Sequence, residues 1–269
     1  MCCEICGAPG SERIVSGDSM ILCQKCQDKL TIHEAFHNQI PAVTQFERSD
    51  PKRSMAILDD LQTKYQSLDH DGWLYKSTRS HRALILMYSK QYEEAIQELR
   101  ALTKLLIYDP DAFIENQIAI ADVLERSGRY GEAMSEIEAG VPFHDRVHPN
   151  AVLGLVSAYA RLARRQGSDI PSRYRSVIES AVAAWGISIP PDILSSSIVS
   201  VVEFANTEKR QADKRYTSLR ERLKEQSREV QSRMLHDFIE AEPVGFYREL
   251  ASRDLDTVSG EPAGTEKNE

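Results

Sequence analysis

The sequence predicts a mainly α protein: helical hairpins and one long C-terminal helix behind a small cysteine-bearing module. Three observations carry that prediction. Four cysteines stand as C-x2-C-x16-C-x2-C near the N-terminus. Residues 83–99 and 121–137 are similar to one another at an offset of 38 residues. From Ile193 to Ala241 the chain contains neither Pro nor Gly.

The chain of 269 residues has room for one large domain or two modest ones, and 41 % hydrophobic with 28 % charged residues is a globular composition. Its formal net charge of −8 argues against general binding to nucleic acid or to an anionic membrane, because neutralising phosphate needs an excess of Lys and Arg. The opening "MCCEICGAPG" has no basic or apolar region of a secretory signal, and no apolar run reaches the ~18 residues of a membrane span. All five cysteines fall within the first 26 residues. Clustered pairs suit metal binding in a reducing compartment better than a disulfide framework, so the expected location is cytoplasmic.

The N-terminal module, residues 1–40, is justified first. Two ligands three residues apart grip one ion from a tight turn, and two such turns make a tetrahedral thiolate site. Cys3, Cys6, Cys23 and Cys26 are therefore the expected ligands of one structural Zn²⁺ per chain, with Cys2 spare. Gly7 follows the first pair, where the turn favours positive φ. Between the pairs "RIVSGDSMIL" predicts a hairpin about Gly17–Asp18, and "QDKLTIHEAFHNQI" predicts a helix with Ile32, Phe36 and Ile40 on one stripe. Knuckle, hairpin and helix resemble a treble-clef or zinc-ribbon finger, and "CEICG…LCQKC" is similar to the finger that opens archaeal multiprotein bridging factors. A closed four-thiolate site has no open position for hydrolysis. Arg13, Lys25 and Lys29 stand against Glu4, Glu12, Asp18 and Asp28, and the metal centre itself adds about −2. That balance favours docking to a protein or peptide; a transcription- or RNA-associated zinc-ribbon factor is the alternative.

His33-Glu34-x-x-His37 spells the zinc-peptidase helix signature, which would make His33 and His37 ligands and Glu34 a general base. No third ligand stands at a recognised spacing; Glu47 and Asp50 lie beyond Pro41. The residues that would build a peptidase cleft belong to the finger, and the helix is expected to end near Pro41. The preferred reading places both histidines at a packing boundary beside Ile32, Phe36 and Ile40. A metallopeptidase is an alternative, as is one His replacing a Cys in the finger.

Residues 41–51, with Pro41 and Pro51, are read as a linker. Over 52–187 the pattern is helical. In the two similar segments Ala83 meets Ala121, Leu86 meets Leu124, Tyr92 meets Tyr130, Ala95 meets Ala133 and Leu99 meets Ile137. Small residues let antiparallel helices approach, and the tyrosine wedges the turn. This resembles the tetratricopeptide repeat (TPR), with Gly128 in the turn slot of the second copy, Lys90 in that of the first, and Arg79 and Gln117 where the family has Trp. The resemblance implies three to four helical hairpins with a binding surface for a protein or peptide. "SMAILDDLQTKYQSL" would be a partial unit before the two copies, and "AVLGLVSAYARLA" with "RYRSVIESAVAAW" a degraded one after them; an ordinary helical bundle is the alternative. Arg161, Arg164, Arg165, Arg173 and Arg175 form a basic patch, read either as an anion site or as solvated helix ends.

The last elements are one helix over 192–242 and a largely disordered tail over 243–269, in which "VGFYREL" is a short helix candidate. Val202, Ala205, Ala212, Tyr216, Leu219, Leu223 and Val230 keep heptad spacing. They make either a homodimer seam through 202–230 or a face packed on the repeats. With no phosphate loop, nucleophile elbow or paired catalytic carboxylates, the expected function is that of a non-enzymatic adaptor: a structural zinc finger with a helical protein-binding surface.

Overall fold

The computed structural model describes residues 5, 6, 8, 11–15 and 18–259, without the side chains of 11–21. It is mainly α. The hairpin between the cysteine pairs is present: β1 (Ser11–Val15) runs antiparallel to β2 (Asp18–Leu22), Ser11 opposite Leu22. Helix α1 (Gln24–Phe46) opens directly behind β2.

The linker expected over 41–51, and the short helix ending at Pro41, need correction. Helix α1 passes through Pro41, and only residues 47–50 separate it from α2 (Pro51–Tyr65). Pro41 cannot donate to the carbonyl one turn back, which in isolation would favour a break. Packing decides otherwise. Val43, just beyond Pro41, is fully buried with Leu58 and Ile85. Thr44 Oγ1 donates to the carbonyls of Ile40 (3.1 Å) and Pro41 (3.0 Å) beside the interruption. The buried Ser54 hydroxyl of α2 donates to Val43 O at 2.8 Å and ties the two helices together.

The chain divides into two compact units: one holds the chain up to Asp109 with Asp122–Arg129, the other Pro110–Ala121 with the chain from Tyr130 onward. In the first, α1, α2, α3 (Trp73–Tyr88) and α4 (Tyr92–Thr103) pack consecutively, and Ile32, Phe36, Leu61 and Leu74 form a core. Asp69, three residues ahead of the left-handed Gly72, accepts from the amides of Leu74 (3.0 Å) and Tyr75 (2.9 Å) and so caps α3.

Helices α5 (Pro110–Arg126) and α6 (Tyr130–Gly140) carry the second of the similar segments. Lys90 and Gly128 both take positive φ, 61° and 81°. The amide after each reaches back five residues, Gln91 N to Leu86 O (2.9 Å) and Arg129 N to Leu124 O (2.8 Å). Ala95 and Ala133 are fully buried. The same left-handed end also closes two helices of the second unit, at Gly167 and Gly186, so it is not peculiar to the pair. What the pair shares beyond it is the immediate start of the next helix.

In the second unit α7 (Pro149–Arg165) is buried along most of its length. Around it stand α8 (Arg175–Ala184), the short α9 (Pro191–Leu194) and α10 (Ile198–Leu223), followed by α11 (Arg228–Ala241) and α12 (Gly245–Ser259). The single helix expected over 192–242 is therefore corrected to α10 and α11 with a break at 224–227, where Ser227 is extended and the Gln231 side chain donates to Leu223 O at 2.8 Å. The expected disordered tail is corrected as well: 245–259 is α12, paired with α11, and 260–269 lie outside the described residues. Of the heptad positions, Val202, Ala205, Ala212, Tyr216, Leu219 and Leu223 are buried by the chain's own packing. Among the described residues no helix is long and apolar enough to cross a membrane.

Candidate metal centre

Cys23 is the last residue before α1, extended at φ −77° and ψ 160°, and its side chain caps no amide. Cys26 sits in the first turn, buried with Leu22, while Leu30 and Cys23 pack alongside. Cys6 comes from the preceding turn. The three sulfurs lie within 4.8 Å of one another, and Cys6 Sγ is 3.5 Å from Cys23 Sγ. That separation is far beyond a disulfide bond of ~2.05 Å. It is close to the ~3.8 Å between sulfurs in tetrahedral zinc thiolate, as Zn–S bonds of about 2.3 Å dictate. The first turn of α1 adds the partial positive charge of a helix N-terminus, which favours thiolates. Cys3 lies outside the described residues; the other three expected ligands are brought together.

The helix bearing Cys26 is anchored to the loop ahead of α3 by two pairs that sequence reading missed. Asp28, 6 % exposed, accepts from Gln24 Nε2 at 2.7 Å, and its other oxygen lies 3.0 Å from His70 Nε2. The hydrogen bond with His70 holds the Asp28 carboxyl below its ordinary value. Lys29 pairs with Asp71 at 3.2 Å. The available signal was the acidic run Asp69, Asp71 around His70, which composition alone reads as a loop.

The His33-Glu34-x-x-His37 face is used differently. The His33 ring stacks flat on Trp73, with centroids 3.7 Å apart and planes 17° apart. Its Nε2 is sealed from solvent and finds no hydrogen-bond partner among the described residues, and burial, with Lys29 nearby, pushes its pKa down. The His37 ring lies 6.2 Å away on the exposed side. Among the described residues, the cysteine trio is the one group of three or more His, Cys, Asp or Glu placed to hold a metal.

The basic patch is paired. Arg164 bonds Glu203 and Arg173 bonds Glu138. Arg175 reaches Glu179 and the carbonyls of Leu194 and Ser196. Arg161 and Arg165 are also engaged. Asp169, between the arginines in sequence, accepts from the first amides of α10, Ile198 (3.2 Å) and Val199 (3.1 Å). Arg164 and Arg175 thus link the ends of α7 and α8 to the start of α10 and the segment before it.

No protein-family model, curated protein or solved structure matches the chain.

Proposed function

We propose that the protein is a non-enzymatic adaptor of the cytoplasm, in which a structural Zn²⁺ held by Cys6, Cys23, Cys26 and Cys3 orients an array of TPR-like hairpins for a protein or peptide partner. The observation that carries the reading is the convergence of three thiols at the N-terminus of α1, the helix whose remainder builds the core of the first unit. Soft thiolate donors in a closed set suit zinc in a structural role and offer no position for an attacking water. The similar turns at Lys90 and Gly128, with buried Ala95 and Ala133 beyond them, support the hairpin assignment.

The test is elemental analysis of purified protein, with partner recovery from the native host in zinc-replete buffer. Wild type is expected to hold one zinc. Cys23→Ser and Cys26→Ser lose it and destabilise α1, because metal binding here is coupled to folding. His33→Ala and His37→Ala keep it. Two zinc ions per chain, falling to one in the His variants, together with peptide hydrolysis lost in Glu34→Gln, would instead establish the metallopeptidase.

A further inference from the structure

The three described thiols of the metal centre are not equally placed. Cys6 is exposed and Cys23 half-buried, whereas Cys26 is only 8 % exposed, packed with Leu22 and flanked by Leu30. Cys6 Sγ and Cys23 Sγ are 3.5 Å apart, so an approach of about 1.5 Å would bring them to bonding distance. An accessible thiolate with a second thiol in reach is the arrangement in which a cysteine oxidises reversibly, and a shielded thiol is far less reactive. The most accessible sulfur and its near neighbour are thus set apart from a third that solvent scarcely reaches.

The helix behind these thiols is fastened without them. Asp28 with His70 at 3.0 Å and Lys29 with Asp71 at 3.2 Å tie α1 to the loop ahead of α3. Ile32 and Phe36 follow in the core with Leu61 and Leu74. All four contacts lie beyond Cys26 along the helix. The first turn of α1 can therefore loosen while the remainder stays in place.

We propose that the zinc centre assigned above, on which this inference rests, is a hydroperoxide-sensitive switch that closes a Cys6–Cys23 disulfide and opens only the first turn of α1. The Cys6 thiolate attacks the terminal oxygen of the hydroperoxide. The O–O bond breaks, an alkoxide or hydroxide leaves, and Cys6 becomes a sulfenic acid. The Cys23 thiolate then attacks the Cys6 sulfur, the S–O bond breaks, and hydroxide leaves. The two thiolates lose two electrons in all, the peroxide takes them up, and the released anions draw protons from water. Cys26, shielded, keeps its thiol. With two sulfurs withdrawn into a disulfide, Cys3 and Cys26 are too few to retain the metal. A thiol reductant reverses the bond by exchange and restores the donor set.

The zinc-loaded chain, as wild type and with Cys2→Ser to remove the spare thiol, is treated with near-stoichiometric hydrogen peroxide. Zinc release is followed with a chromogenic chelator, disulfides are mapped by mass spectrometry after alkylation, and α1 is followed by amide hydrogen exchange. In both proteins zinc is expected to leave one-for-one with a Cys6–Cys23 disulfide while Cys26 stays open to alkylation, and dithiothreitol with added zinc should reload the site. Exchange should quicken at the Gln27 amide, which donates to Cys23 O at 3.1 Å, and stay slow from Ile32 to Phe36. Untreated protein without zinc would defeat the zinc assignment and the switch with it. Zinc held but unmoved by peroxide, a first disulfide other than Cys6–Cys23, Cys6 carried to sulfinic acid without a disulfide, or exchange quickened as far as Phe36 would overturn the switch and leave the zinc assignment standing.

Discussion

At Gly186 the chain has no room for a methyl group. Its φ is +62°, and a Cβ there would lie 2.7 Å from Gly245 Cα. The approach serves a purpose: the first amides of α12, Gly245 N and Phe246 N, donate at 3.2 Å to the carbonyls of Gly186 and Trp185, so the unfilled ends of two helices satisfy each other. Gly186→Ala should therefore cost about 1–3 kcal/mol, read as a lower denaturant midpoint. The part-buried imidazoles of His33 and His81 set an acid limit of a different kind. Desolvation holds His33 and His81 below the ordinary 6.5. The unfolded chain then binds more protons than the folded one once pH drops under about 6.5, and stability falls as pH is lowered from there toward the folded-state values. Melting temperatures taken from about pH 7.5 to 5 should show that decline. His33→Phe, which keeps a ring against Trp73, should flatten it; an identical profile in the variant would remove His33 as a cause.

At the scale of elements, the turns at Lys90 and Gly128 make a matched pair with different residues in the same conformation. A side chain in the left-handed region costs about 1 kcal/mol, whereas Gly is at ease there. Nothing crowds Gly128, so Gly128→Ala should lose about that much through backbone conformation alone. Lys90→Gly should be neutral or gain up to about 1 kcal/mol, the gain reduced by the greater freedom of Gly in the unfolded chain. Paired chemical-denaturation curves check both. Equal losses from the two substitutions would mean that Lys90 contributes contacts beyond its backbone.

For the whole molecule, the decisive fact is that the heptad face of α10 is spent within the chain. Val202, Ala205 and Ala212 are fully buried, and Leu219 and Leu223 nearly so. Association through this seam would require stripping those contacts first. Light scattering should return the 30.4 kDa of a single chain. Leu219→Glu with Leu223→Glu should unfold the second unit, because burying a charge without a partner there is costly. A larger wild-type mass that falls to 30.4 kDa in a still-folded double variant would restore the dimer seam.

What could be read in the sequence was what local chemistry dictates. Cysteine pairs at ligand spacing, a Gly or its stand-in at a left-handed turn, and apolar periodicity each act within a few residues, and they sufficed for the mainly α class and for the meeting of Cys6, Cys23 and Cys26. The outcomes that turned on distant partners were hidden. Pro41 lies inside a helix because Val43 is gripped by Leu58 and Ile85. The His33-Glu34-x-x-His37 signature became a stacking face because Trp73, forty residues on in the chain, lies flat against His33. Asp28 found His70, and α12 found the end of α8. In each case the free energy comes from burying apolar surface or pairing a polar group across a large sequence separation, and no local pattern records which segment will arrive to do it.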